Sequence, residues 1–140
     1  MTSETLNRSV RTPSTATPLP LFGRALTELG EPLYFYPGAA RAVGGFKAGL
    51  LLCFFLQRSW DSAGTSDAWL IITRAEIEAL TGMSRCEQET ARRKLRGLRI
   101  LQERRSAHPV TGRGTLFHRI DHQRLNEIYE QYRESSASAK

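Results

Sequence analysis

The sequence predicts a mainly α-helical domain that carries a small antiparallel β-sheet, and three observations support this fold class. Two capping-box patterns, Thr73–Glu76 and Ser84–Glu87, each mark the start of a helix. Residues 46–58 are so strongly apolar that a central core helix is expected. Residues 106–114 contain one proline and two glycines between two strand-like segments, which is the composition of a hairpin loop.

The stretch from Thr73 to Leu98 predicts two helices joined by a tight turn. Gly82 lies in the joint Thr81–Met83, where its backbone freedom allows a sharp change of direction. A short helix, a glycine turn and a longer helix make a helix-turn-helix. At about 100° per residue, the longer helix places a core-facing side at Ser84, Ala91, Leu95 and Leu98. A separate line carries Arg85, Arg92 and Arg96, with Glu89 and Arg93 beside it.

This line of arginines has two interpretations. Planar guanidinium donors suit phosphates and the edge of guanine, which favours a recognition helix for the DNA major groove. Alternatively the face is simply solvated, with Glu89 paired to Arg93 for a few tenths of a kcal/mol. The local charge favours DNA, because residues 85–105 hold eight Lys or Arg against three acids.

The remaining elements follow from composition and from turn residues. A short helix is expected over 20–29, an extended aromatic run over 33–36, and a helix over 38–43 after Pro37 and closed by Gly44-Gly45. Strands are expected over 69–72, 99–105 and 115–120, and Asp121 is a suitable N-cap for a helix from His122 to about Arg133. The predicted organisation is a flexible N-terminal arm (1–18), one domain (19–133) and a flexible tail (134–140).

Bulk properties exclude several classes of protein. The net charge of +6 and the pI near 9.9 favour a polyanionic partner. Two cysteines without zinc spacing fit a reducing cytoplasm, and the apolar run 49–56 is far below the ~20 residues that span a bilayer. The sequence contains no phosphate-binding loop motif, no zinc-protease motif and no catalytic serine or cysteine motif. We therefore expect no enzyme activity, no catalytic residue, no metal and no cofactor.

The predicted elements follow the order of a winged helix-turn-helix: helix, strand, helix, turn, helix, strand, loop, strand, helix. Residues 107–114 would form the wing. The chain also resembles the winged-helix domains of phage and plasmid replication proteins and of small proteins on mobile elements. The resemblance lies in YFYPGAARAVGG, FKAGLLLCFFLQRSW, WLIIT, EIEALTGMSRCEQETARRKL and TLFHRID. Arg99 departs from the family, which usually has glycine after the recognition helix.

The resemblance implies cytoplasmic, sequence-dependent binding of double-stranded DNA in replication or in transcriptional control. Because the chain ends after one domain, we expect a regulator or an accessory factor rather than a full initiator. The expected DNA-binding residues are Thr73, Arg74, Arg85, Gln88, Glu89, Arg92, Arg93, Arg96, Arg105, His108 and Arg113. A homodimer is compatible with the terminal helix. The alternative is a protein-interaction module that inhibits a host nucleic-acid-handling complex, and no membrane partner is expected.

Overall fold

The computed structural model describes residues 28–61 and 68–138, and residues 33–140 form one compact unit. Within these ranges lie helix α1 (Pro37–Val43), helix α2 (Phe46–Asp61), strand β1 (Leu70–Ile71), helix α3 (Arg74–Thr81), helix α4 (Arg85–Gly97), strand β2 (Leu101–Ala107), strand β3 (Gly114–Ile120) and helix α5 (His122–Ser138). The unit is therefore mainly helical with a small antiparallel sheet, as the sequence predicts. The predicted arm (1–18) and nearly all of the predicted helix 20–29 lie outside the described residues.

Helices α1 and α2 form a tight corner. Pro37 takes the first position of α1, where its missing N–H costs nothing. Gly44, with φ of 78°, ends α1 in the left-handed conformation that glycine adopts without a steric penalty. Gly49 lets the helices touch, because a Cβ atom there would lie 2.5 Å from the Cα atom of Ala40. The aromatic run 33–36 before α1 forms no strand.

Helix α2 occupies the centre of the core, as its composition predicts. Phe55, Leu51 and Leu52 are fully buried in it, and Ile77, Leu95, Ile100 and Ile120 reach the same core from four other parts of the unit. The helix extends to Asp61, three residues beyond the predicted end of the apolar segment 46–58.

The sheet has three antiparallel strands in the order β1-β3-β2. Strands β2 and β3 pair over their full length, from Leu101 opposite Ile120 to Ala107 opposite Gly114. The turn of this hairpin is therefore 108–113, slightly shorter than the predicted loop. Side chains alternate between the two faces of a strand, so the register places Glu103 and His118 side by side on the face that packs on α4.

Helix α5 begins after Asp121, whose carboxylate accepts the backbone N–H of Arg124 at 3.0 Å. It continues to Ser138, so residues 134–138, predicted as part of a frayed tail, are helical. Only Ile128 of this helix is buried, and Tyr129 remains 48% exposed. Helix α5 therefore contributes to the core through Ile128, in its first half.

Candidate nucleic-acid interface

Two capped helices position the candidate interface. Thr73 Oγ1 accepts the backbone N–H of Glu76 at 3.1 Å, which caps α3. Ser84 and Glu87 form the complete reciprocal capping box at the start of α4. Gly82, with φ of 76°, ends α3 between them. The turn between α3 and α4 thus follows from local hydrogen bonds, with the predicted capping box complete at Ser84 and only the side-chain half of the predicted box formed at Thr73.

The end of α4 shows how the chain manages without glycine at position 99. Ile100 N–H donates to the carbonyl of Leu95 at 3.0 Å, and Arg99 N–H donates to that of Arg96 at 2.9 Å. This pair of bonds is the Schellman ending, and it puts Arg99 at φ of 62°. Helix α4 therefore ends at Gly97, and Arg99 carries a left-handed conformation that costs an L-residue about 1 kcal/mol.

A group of polar and charged residues, buried at its centre, joins α4 to the hairpin. We call it the charge cluster, and it consists of Glu89, Arg92, Arg96, Glu103 and His118. Glu103 is its centre, with a side chain only 9% exposed. Its carboxylate accepts from Arg92 Nε at 2.8 Å and from Arg96 Nη1 at 2.6 Å, and it lies 3.1 Å from His118 Nδ1.

Glu103 stays ionised inside the fold. Burial by itself raises the pKa of this carboxyl, but the proximity of His118 and the hydrogen bonds from Arg92 and Arg96 outweigh burial and lower the pKa well below its usual range. Glu89 adds a second carboxylate, 3.0 Å from Arg92 Nη1 and 3.5 Å from Arg96 Nη2. Two guanidinium groups and two carboxylates cancel, so the charge cluster contributes little net positive charge at neutral pH.

Two of the predicted DNA contacts are wrong because their side chains are buried. Arg92 is only 8% exposed and is engaged by Glu89 and Glu103. Gln88 is 1% exposed and donates to the carbonyls of Arg74 and Met83, which locks α3 onto α4. The prediction that Arg92 stands clear of the interior therefore fails for a physical reason: its charge is compensated within the fold.

The other cluster arginine is only partly enclosed. Arg96 has a side chain that is 35% exposed while it pairs with Glu103 and Glu89. Glu89 pairs with Arg92 and Arg96 rather than with Arg93, the partner that the solvated interpretation expected. Arg96 is therefore the one cluster guanidinium with an accessible edge.

A groove of about 570 Å³ lies between the helix pair and the hairpin. Six of the predicted residues line it, namely Thr73, Arg74, Arg85, Glu89, Arg92 and Arg105. Ile71, Ile77 and Leu116 supply apolar wall. In the part of the chain that the structure describes, no carboxylate pairs with Arg74, Arg85 or Arg105, so these three arginines make the groove positive.

The remaining predicted residues lie outside the groove. Arg93 is exposed on α4 and forms no ion pair with any described residue. Arg113 is exposed in the hairpin turn. His108 has a structural role there, because its Nδ1 accepts the backbone N–H groups of Val110 and Thr111 at 3.0 and 3.2 Å. A DNA contact through Nδ1 of His108 is thereby excluded in this conformation.

Two residues of the charge cluster, His118 and Glu103, were not predicted as site residues. His118 is 2% exposed beside Glu103 and packs on Phe55 with ring centres 5.1 Å apart. In the sequence, Glu103 was considered only as one of the three acids in residues 85–105. The predicted loop 106–114 would place Glu103 opposite Phe117, and only the observed register, with Ala107 opposite Gly114, places it opposite His118.

No protein-family model, curated protein sequence or solved structure matches this chain. In residues 28–61 and 68–138, no three His, Cys, Asp or Glu side chains are grouped to hold a metal ion. Over the same ranges no single helix is long and apolar enough to cross a membrane, and α1 with α2 reaches that length only as a pair bent by 119°.

Proposed function

We propose that this protein is a winged helix-turn-helix protein that binds double-stranded DNA in a sequence-dependent manner. It acts as a transcriptional regulator or a replication accessory factor of a mobile element. The supporting observation is the positive groove, in which Arg74, Arg85 and Arg105 converge without carboxylate partners among the described residues. Phosphates are the partners that such uncompensated guanidinium groups favour.

Helix α4 is the recognition helix in this proposal. Arg85 and Arg93 are both exposed on it and lie eight residues apart, which is about 12 Å at ~1.5 Å per residue. That span matches a major groove about 12 Å wide. Arg93, in the middle of the helix, reads a base edge, while Arg85 binds a phosphate at the wall of the groove.

The flanking contacts bind the DNA backbone. Arg74 is the first residue of α3, where free N–H groups and the helix dipole add to the attraction for phosphate. Arg105 continues the same surface onto β2, and Arg113 extends it to the hairpin turn, which serves as the wing. These contacts set affinity and register but carry no base preference.

The charge cluster positions the reading surface. Glu103 holds Arg96 at 2.6 Å and anchors Arg92, so the hairpin and α4 are fixed relative to each other before DNA arrives. A pre-formed arrangement avoids part of the ordering cost of binding. Arg92 is thus a positioning residue, and its replacement acts through α4 and through stability rather than through a lost base contact.

The test measures duplex binding by fluorescence anisotropy after selection of a preferred site from random duplexes. Arg93→Gln is expected to cost about 1–3 kcal/mol on the selected site and to relax preference at one base pair. Arg113→Gln is expected to weaken all duplexes alike and to reduce the log–log salt slope by about 0.9. The matched control is Arg133→Gln, which removes an equal charge from an exposed pair on α5.

If Arg93→Gln and Arg113→Gln both bind every duplex as the control does, the docking proposal is wrong. A second candidate function is a protein-interaction module that inhibits a host nucleic-acid-handling complex. The observation in its favour is that Glu89 and Glu103 neutralise two of the four arginines of α4. A partner retained on affinity capture after nuclease treatment, together with a flat salt dependence on DNA, would favour this candidate.

A further inference from the structure

A second positive surface lies on the opposite face of the sheet. Because side chains alternate along a strand, Arg104 and Arg119 point away from the face that holds Glu103 and His118. Trp69 precedes β1 and, by the register of Leu70 with His118, lies beside Arg119. We call Trp69, Arg104 and Arg119 the sheet-face stack.

The stack holds two guanidinium groups against one indole ring. The Cζ atoms of Arg104 and Arg119 each lie 4.5 Å from the ring centre of Trp69, which places them within about 9 Å of each other. Arg119 is further fixed by Gln102, whose Oε1 accepts from Nε at 2.9 Å and from Nη2 at 2.7 Å. The two charges are therefore held around one ring.

These two charges lack a counter-ion. Neither Arg104 nor Arg119 lies within ion-pair distance of a carboxylate in the part of the chain that is described, and the acceptor that holds Arg119 is a neutral amide. The contrast with the charge cluster is direct, since there Arg92 meets two carboxylates. Among the described residues, the stack therefore presents two guanidinium charges that an anionic partner could bind.

The chemistry of the stack indicates which anion fits. Guanidinium N–H edges bind phosphate oxygens in pairs. The indole is covered by the two guanidinium groups, so Trp69 has little free ring surface on which an unpaired base could stack, as bases do in single-strand binding sites. The surface therefore suits the backbone of a duplex better than a single strand.

We propose that the sheet-face stack binds the phosphate backbone of a second segment of duplex DNA, so that one protein bridges two segments. The inference rests on the proposed function for the first segment. The pair Gln102–Arg119 lies five residues from Ala107–Gly114, which is about 17 Å from the end of the hairpin ladder at ~3.4 Å per residue. The first duplex, bound in the groove, would contact Arg105, which lies on the opposite face of the sheet from the sheet-face stack.

The experiment is a two-duplex capture assay. A biotinylated duplex with the selected site is immobilised with the full chain, and retention of a fluorescent second duplex is measured. The variant is Arg104→Gln with Arg119→Gln. The matched control is Arg41→Gln with Arg133→Gln, which removes the same charge from exposed positions on α1 and α5.

We expect the stack variant to bind the first duplex as the control does and to lose capture of the second duplex, while the control retains it. Two results overturn the inference alone: the wild type binds one duplex without capturing another, or the stack variant captures as well as the control. Failure of the wild type to bind any duplex overturns the proposed function as well. If the double variant does not fold, the single variant Arg104→Gln, at an exposed position, is compared with the control for capture of the second duplex.

Discussion

Replacing Glu103 by glutamine tests whether the charge cluster holds α4 against the hairpin. The substitution keeps the shape but removes the charge that faces Arg92, Arg96 and His118. Arg92 has a side chain only 10% exposed, so water cannot replace the lost partner. Breaking a buried ion pair from one side costs about 3–5 kcal/mol. We expect about 3 kcal/mol, the lower end, because the glutamine oxygen still accepts one hydrogen bond.

The assay is urea unfolding at pH 7 followed by circular dichroism, with thermal unfolding in parallel. A loss of about 3 kcal/mol corresponds to a fall in Tm of about 10 °C for a unit of this size. The matched control is Glu130→Gln, which breaks an exposed pair with Arg133 and is expected to cost below about 1 kcal/mol. Equal losses for Glu103→Gln and Glu130→Gln would refute the structural role of the cluster.

The pH dependence provides an independent check. Because Arg92, Arg96 and His118 hold the pKa of Glu103 below its usual range, the carboxylate contributes stability that is complete above the unfolded-state pKa of about 4.3. That contribution is lost as the pH falls through the lower folded-state pKa. The difference in unfolding free energy between wild type and Glu103→Gln should therefore be largest near pH 7 and should narrow below about pH 4. A difference that stays constant down to pH 2 contradicts this account.

Three further predictions concern local structure. Arg99→Gly should raise the free energy of unfolding by about 0.5–1 kcal/mol, because glycine tolerates the positive φ at the end of α4. Gly49→Ala should lower it by about 1–3 kcal/mol in urea unfolding, because the new methyl group meets the Cα atom of Ala40. Hydrogen bonds from Lys47 and Ser84 lower the pKa of Glu87 to about 2. In Lys47→Gln, a carboxyl ¹³C titration should show that pKa rising toward its usual value.

Each of these has a result that would contradict it. A destabilising Arg99→Gly would mean that the Schellman ending does not form in solution. An unchanged stability in Gly49→Ala would show that α1 and α2 are farther apart than described. An identical Glu87 titration in wild type and in Lys47→Gln would show that the 2.7 Å ion pair between Lys47 Nζ and Glu87 Oε2 does not form in solution.

The elements that depend on neighbouring residues were predictable. Thr73 and Ser84 cap their helices, Gly82 makes the turn, and Asp121 caps α5, because each bond joins atoms within a few residues. The central position of α2 was predictable for a different reason, since residues that are apolar around most of a helix are stable only when surrounded. These local rules were sufficient for the element order and for the mixed helical and antiparallel composition.

The candidate site was predictable only in part. Six of the eleven predicted residues meet in the groove, since the elements that carry them were assigned correctly. Helical periodicity places Gln88 and Arg92 on one stripe with Ala91 and Leu95, and their burial was missed because both side chains are polar. The polar side chains of Gln88 and Arg92 indicated a surface position, but their spacing along α4 places both residues in the interior.

What the sequence determined by itself is which segments form helices and strands and where each begins, because those choices are made by hydrogen bonds and apolar periodicity along the chain. What only the tertiary structure decided is which arginines are free to bind a partner. A guanidinium can be buried when a carboxylate arrives to compensate it, and Glu103 reaches Arg92 and Arg96 only after the hairpin register sets its position.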